Sequence, residues 1–158
     1  MGNVEVPENW HPVKTEDTVR APISVLIVDD YEPFRRFVCS TIRKQANLLI
    51  VAEAPDGAEA IQQAAAFRPD LIVLDIGLPK MNGIEAARAI REIVPDSKIV
   101  FLTQESSPEV VEEALNLGAR GYVFKMNGEN ELLGALEAVV LGNKFVSSTL
   151  QVQVSEHT

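Results

Sequence analysis

The sequence has a single cysteine, Cys39, so neither an intrachain disulfide nor a cysteine-based zinc cluster can form, which suits a reducing compartment. Cys39 lies on the apolar stripe of a predicted helix and reads as a small buried hydrophobe rather than a reactive thiol. Positive charge is also scarce. Lys and Arg number 14 against 23 Asp and Glu, giving a net charge of −9, and the basic residues are scattered. Phosphate binding requires a concentrated basic face, so no direct nucleic-acid partner is expected. No apolar run reaches the roughly 18 residues that span a bilayer, and MGNVEVPENWHPVK lacks the charged-then-apolar order of a secretion signal. The chain therefore reads as soluble and cytoplasmic, without a membrane partner. The only histidines, His11 and His157, lie near the two ends.

What is present is 158 residues, 46% of them hydrophobic, enough for one core. Residues 1–21 show no periodicity and read as a flexible extension, with Trp10 as its candidate anchor. Residues 22–145 form the expected domain, and 146–158 a tail or truncated linker. Within the domain, β-rich runs (SVLIVD, LLIVAEA, DLIVLD, KIVFLT, GYVF) alternate with amphipathic stretches (FRRFVCSTIRK, AEAIQQAAAF, IEAARAIREIV, PEVVEEALNL, ELLGALEAVVL). Five such βα repeats predict an α/β fold with a five-stranded parallel sheet and helices on both faces. Asp56-Gly57, Asn82-Gly83 and Ser107-Pro108 are predicted helix starts, and Gly118 and Gly142 predicted stops.

One stretch needs a separate explanation. VLIVDDYEPF ends a greasy strand in two adjacent carboxylates, Asp29 and Asp30, where one would cap the following helix. Functional groups in an open parallel sheet collect at the carboxyl ends of the strands. That rule brings Asp29 and Asp30 together with Asp75 after the third strand, Thr103 at the end of the fourth and Lys125 after the fifth. Three clustered carboxylates either hold protons or bind a hard cation, and oxygen-only ligands suit Mg²⁺. Singly, each residue has a plainer account: a helix cap for the pair, a turn initiator for Asp75, a β-branched strand residue for Thr103, a surface charge for Lys125. Their joint placement favours a site in which Asp75 acts as a nucleophile on phosphorus.

The pieces VLIVDD, LIVLDIGLPKMNGIEAARAIR, IVFLT and LGARGYVFK resemble the receiver domain of two-component response regulators, most closely the NarL/LuxR type, over about residues 23–145. The resemblance implies the flavodoxin-like fold with strand order 2-1-3-4-5. It implies that Asp75 accepts a phosphoryl group from a sensor histidine kinase or phosphotransfer protein, with Mg²⁺ as cofactor. Asp30 and Asp75 would then ligate the metal, Asp29 mainly through water, and Gly77 through its backbone carbonyl. Thr103 and Lys125 would hold the phosphoryl oxygens, and Thr103 and Tyr122 would form the switch. The implied readout surface is helix 108–117, strand 121–124 and helix 129–141, presented to a downstream protein or an output domain; family members also pair through helix faces. With His11 and His157 outside the site, the donor would be another protein or a small acyl phosphate.

Two positions depart from the family pattern. Gln104 stands where a small residue is usual, and Met126 follows the lysine where proline is common. The alternative to a phosphorylated switch is a receiver fold that binds partners without phosphorylation. An enzyme reading is disfavoured, because Asp75 lacks a second Asp two residues on and the first strand leads into DDYEPF rather than a glycine-rich turn. Gly77 and Glu105 occupy positions that modulate dephosphorylation in relatives.

Overall fold

The structure, a computed structural model, describes residues 22–147. The predicted extension 1–21 with Trp10, and residues 148–158 of the predicted tail, lie outside the described residues. Among the described residues there are six strands: β1 (Ile23–Val28), β2 (Leu48–Ala54), β3 (Leu71–Leu74), β4 (Lys98–Thr103), β5 (Gly121–Phe124) and β6 (Phe145–Val146). Five helices connect them: α1 (Glu32–Arg43), α2 (Gly57–Phe67), α3 (Gly83–Ile93), α4 (Pro108–Asn116) and α5 (Gly128–Val140), with a 3₁₀ turn at Lys125–Asn127. The sheet is parallel throughout, in the order β2-β1-β3-β4-β5-β6.

The expected 2-1-3-4-5 order is present, extended by β6. Two residues carry no readable periodicity, and β6 straddles the boundary drawn at 145/146. Its pairing is nonetheless specific: Gly121 faces Phe145, Tyr122 faces Val146, and the Ser147 N–H donates to the Tyr122 carbonyl at 2.8 Å.

Alternation along each strand sends side chains to two cores. Val25 and Ile27 of β1 pack with Val38, Cys39 and Ile42 of α1 and Leu132, Ala135 and Leu136 of α5. Leu26 and Val28 pack on the other face with Ala60 and Ala64 of α2, Ile84 and Ile90 of α3 and Val111 of α4. Because both faces are covered, the central strands are apolar almost without interruption, as β3 (LIVL, all four buried) shows.

Helix starts follow capping chemistry. Asp56 accepts from Glu59 N, Ser107 from Val110 N, and Asn82 forms a reciprocal capping box with Glu85. Gly118 and Gly142 follow α4 and α5 with φ of 102° and 93°, the left-handed region in which glycine carries no Cβ penalty. The exception is α1. Its N-cap is Tyr31, which makes no side-chain cap, so neither Asp of the doublet is used there.

Candidate functional site

The strand order reverses beside β1, so β1 and β3 are neighbours whose carboxyl ends open on the same edge. The Asp75 N–H donates to the Val28 carbonyl at 3.0 Å and the Asp29 N–H to the Ala54 carbonyl at 3.1 Å, so both residues leave the sheet directly from its ladder. Asp29, Asp30 and Asp75 each offer a carboxylate oxygen, and these oxygens lie within 4.8 Å of one another. Asp29 and Asp75 are buried and Asp30 is exposed. An open cavity of about 800 Å³ is lined by Asp30, Asp75, Gly77, Thr103, Gln104 and Lys125, among others.

Lys125 ties the cluster together. Its Nζ lies 2.8 Å from Asp29 Oδ2 and 3.1 Å from Asp75 Oδ2. The 3₁₀ turn at the end of β5 directs it there, and the ammonium rests 4.6 Å from the centre of the Phe34 ring on α1. Burial pushes the Asp29 carboxyl above its usual range, despite the opposing Lys125 hydrogen bond. For Lys125 burial acts in the lowering direction, but the bond to Asp29 and the charges of Asp75 and Asp29 outweigh it, so its pKa is raised. Three carboxylates against one ammonium leave the cluster short of positive charge. An all-oxygen donor set with one exposed member fits a hard divalent cation.

The loop after β4 is held by two bonds through one residue. The Glu105 N–H donates to Thr103 Oγ1 at 3.1 Å, and the Tyr122 hydroxyl donates to the Glu105 carbonyl at 2.8 Å. Tyr122 is fully buried, its ring 5.9 Å from that of Phe101, and burial pushes its phenol pKa upward, with the Glu105 and Asp75 charges adding to the effect. Gln104 is exposed on the cavity rim, and Met126 is 81% exposed beside the lysine.

Of the predicted site residues, Asp29, Asp30, Asp75, Gly77, Thr103 and Lys125 converge on this edge, and Tyr122 reaches it through Glu105. Three contributors were not anticipated. Phe34 and Arg35 had no role beyond the predicted helix stretch FRRFVCSTIRK, and Gly83 none beyond a helix start. A Cβ on Gly83 would lie 2.1 Å from the Asp75 carbonyl oxygen, so α3 approaches the Asp75 backbone as only glycine permits.

An acidic cluster with a bridging lysine beside an open cavity, at the reversal point of a parallel flavodoxin-like sheet, defines a class of signalling domains. The pattern of the response regulator receiver domain matches residues 25–137, and the chain belongs to that family. It is 32% identical over 124 residues to the transcriptional regulatory protein DegU of Brevibacillus brevis, covering 78% of this chain and 52% of DegU. A LuxR-family two-component response regulator from Aurantimonas superposes with a TM-score of 0.82 at 31% identity, covering 87% of this chain and 98% of that one. The RcsB response regulator of Salmonella typhimurium, in a structure describing conformational dynamism for DNA interaction, superposes with a TM-score of 0.79 at 22% identity, covering 85% of this chain and 67% of RcsB, and shows the shared fold. The chain spans about half the length of the curated relatives it matches.

These findings correct one expectation. Net negative charge pointed away from a direct nucleic-acid partner, yet relatives of the chain are named transcriptional regulators. Net charge sums over a whole chain, whereas DNA contact depends on one local surface of the whole protein, so the sum does not decide it. Among the described residues no helix is long and apolar enough to cross a membrane.

Proposed function

We propose that this domain is the phosphoacceptor of a two-component relay, a signalling component rather than a turnover enzyme, acting in the cytoplasm. Asp75 Oδ attacks the phosphorus of a phosphohistidine on a sensor kinase or phosphotransfer protein. The P–N bond breaks, its electron pair returns to the imidazole, and an acyl phosphate forms on Asp75. The observation that carries this reading is the Lys125 ammonium bridging Asp29 and Asp75 at the rim of an open cavity. There it neutralises charge on the nucleophile's surroundings and stands ready for a phosphoryl oxygen. Asp30, Asp75 and the Gly77 carbonyl would hold Mg²⁺, with Asp29 acting through water; the cation supplies further neutralisation of the transferring oxygens.

Thr103 turning toward the phosphoryl group gives up the Glu105 N–H, and Tyr122 responds through the Glu105 carbonyl to which it is bonded. The altered α4–β5–α5 surface is then read by a downstream protein or output domain, and the output proposed for the whole protein is control of transcription.

Incubation with Mg²⁺ and acetyl phosphate, or with a phosphorylated kinase, followed by intact-mass spectrometry tests the reading. A single phosphoryl adduct that Asp75→Asn abolishes supports it. Absence of the adduct with both donors sinks it and leaves a phosphorylation-independent binding module.

A further inference from the structure

Arg35 makes contacts that a surface charge does not need. It sits in the first turn of α1, six residues after Asp29, with a side chain only 17% exposed. One guanidinium nitrogen, Nη1, donates to the Asp29 backbone carbonyl at 2.6 Å. Its Nε donates to Glu53 Oε1 on β2 at 3.1 Å, and the other Glu53 oxygen lies 3.8 Å from Arg43 Nη2. The planar fork therefore joins α1, β2 and the β1–α1 loop through two separate nitrogens, a spacing that lysine's one compact ammonium cannot reproduce.

With Arg35 included, every polar group of Asp29 is held. Its N–H is bonded to Ala54, its carbonyl to Arg35, Oδ1 to the Tyr31 N–H at 2.9 Å, and Oδ2 to Lys125. Asp30 differs: it is exposed, and no hydrogen bond among the described residues holds its carboxylate. Its place is set by its own backbone, fixed on one side at Asp29 and on the other at the Tyr31 N-cap. The anchor on the Asp29 side is the Arg35 bond to the peptide carbonyl between residues 29 and 30.

We infer that Arg35, braced by Glu53, is a positioning residue that fixes the Asp29–Asp30 peptide and so pre-organises the carboxylate pair for a divalent cation. The inference rests on the metal-dependent phosphoacceptor reading above. Outer partners that orient ligands typically alter metal affinity by ~10–100-fold when removed. Loss of the Arg35 bond also leaves a part-buried carbonyl unpaired, which adds to the tendency of the loop to shift.

The test is calorimetric titration of the folded protein with Mg²⁺, without phosphodonor, on native protein, Arg35→Ala, Arg35→Lys, Glu53→Gln and Asp30→Asn. Weakening of Mg²⁺ binding by roughly tenfold is expected in Arg35→Ala and nearly as much in Arg35→Lys, with a smaller loss in Glu53→Gln. Phosphorylation by acetyl phosphate should return close to the native rate once Mg²⁺ saturates the variant, a recovery that general destabilisation would not produce. If Arg35→Ala does not fold, Arg35→Lys and Glu53→Gln carry the test. Native-like Mg²⁺ affinity in the folded arginine and glutamate variants, with Asp30→Asn weakened, overturns the positioning role alone. Absence of Mg²⁺ binding by native protein, or no loss in Asp30→Asn, overturns the underlying metal-site reading and the positioning role with it.

Discussion

The Lys125 ammonium and the Asp29 carboxylate are 2.8 Å apart, with side chains 10% and 4% exposed, and the same ammonium reaches Asp75 at 3.1 Å. A cation so placed shields the carboxylates in the apo domain and competes electrostatically with any second cation. Lys125→Met should therefore have opposite effects on two measurements. Calorimetry should show Mg²⁺ binding tightened by about tenfold, because one positive charge has left the cluster. Phosphorylation followed by intact mass should slow by roughly 10²-fold, because a preorganised donor to the phosphoryl oxygens has been lost. Weaker Mg²⁺ binding in this variant would contradict the electrostatic account.

Gly83 sets how closely α3 approaches Asp75. With a Cβ destined for a point 2.1 Å from the Asp75 carbonyl oxygen and 2.7 Å from Ile76 Cα, Gly83→Ala must push backbone against backbone. A loss of about 3 kcal/mol or more in urea unfolding is expected, beyond the usual range for a glycine-to-alanine change at a helix start. Unfolding within about 1 kcal/mol of native would show that the loop yields easily.

Gly77 is the sterically permissive counterpart. Its Cβ position meets only Asp75 Oδ1, at 4.0 Å. Gly77→Asn should fold with native stability yet place a polar side chain beside Asp75, the proposed acceptor, changing phosphoryl lifetime several-fold by ordering or excluding water. Glu105→Ala should also alter lifetime without abolishing phosphorylation. Decay curves of the phosphorylated variants, superimposable on native in both cases, would refute this.

Burial raises the Cys39 thiol from 9.0 to about 11, with Glu53 adding to the effect. The folded state thus keeps its proton where the unfolded chain releases it. The contribution is complete below pH 9.0 and is lost as pH climbs through the folded value, so stability falls over that window. Urea midpoints measured across it should decline less steeply for Cys39→Ala than for native protein, although Cys39→Ala starts lower because of its cavity. Lys125 also loses its stabilising charge at alkaline pH, but equally in both proteins, so the difference in slope isolates the thiol.

Much of the fold could be read from patterning because each element carried its own chemistry. Leu26 and Val28 alternate with Val25 and Ile27, and Asp56, Asn82 and Ser107 each cap the helix that follows. The clustering of the candidate site could be read because Asp29, Asp30, Asp75, Thr103 and Lys125 lie at or just after strand ends, and parallel topology brings such positions together. Arg35 could not be read in this way. Its role depends on Glu53 lying opposite it on β2, and the irregular register of β1 and β2 between Val25 and Leu26 sets that placement. Gly83 resembled any helix-initiating glycine until the distance to Asp75 was known. The Asp doublet misled locally: Asp29 gives its oxygens to Tyr31 N and Lys125, leaving α1 without a side-chain cap.

The two residues of β6 matter for how the molecule behaves in a crowded solution. A four-residue β5 left bare would present unpaired amides and carbonyls beside a fully apolar core, a ready template for a stray strand of another molecule. Phe145 and Val146 cover the Gly121–Tyr122 half of that ladder, and Ser147, buried and bonded through its side chain to Asn127 and Glu131, pins the end of the cover. Among the described residues the outermost strand on that side is only two residues long, a short edge that offers little template for fibrous stacking beside Tyr122.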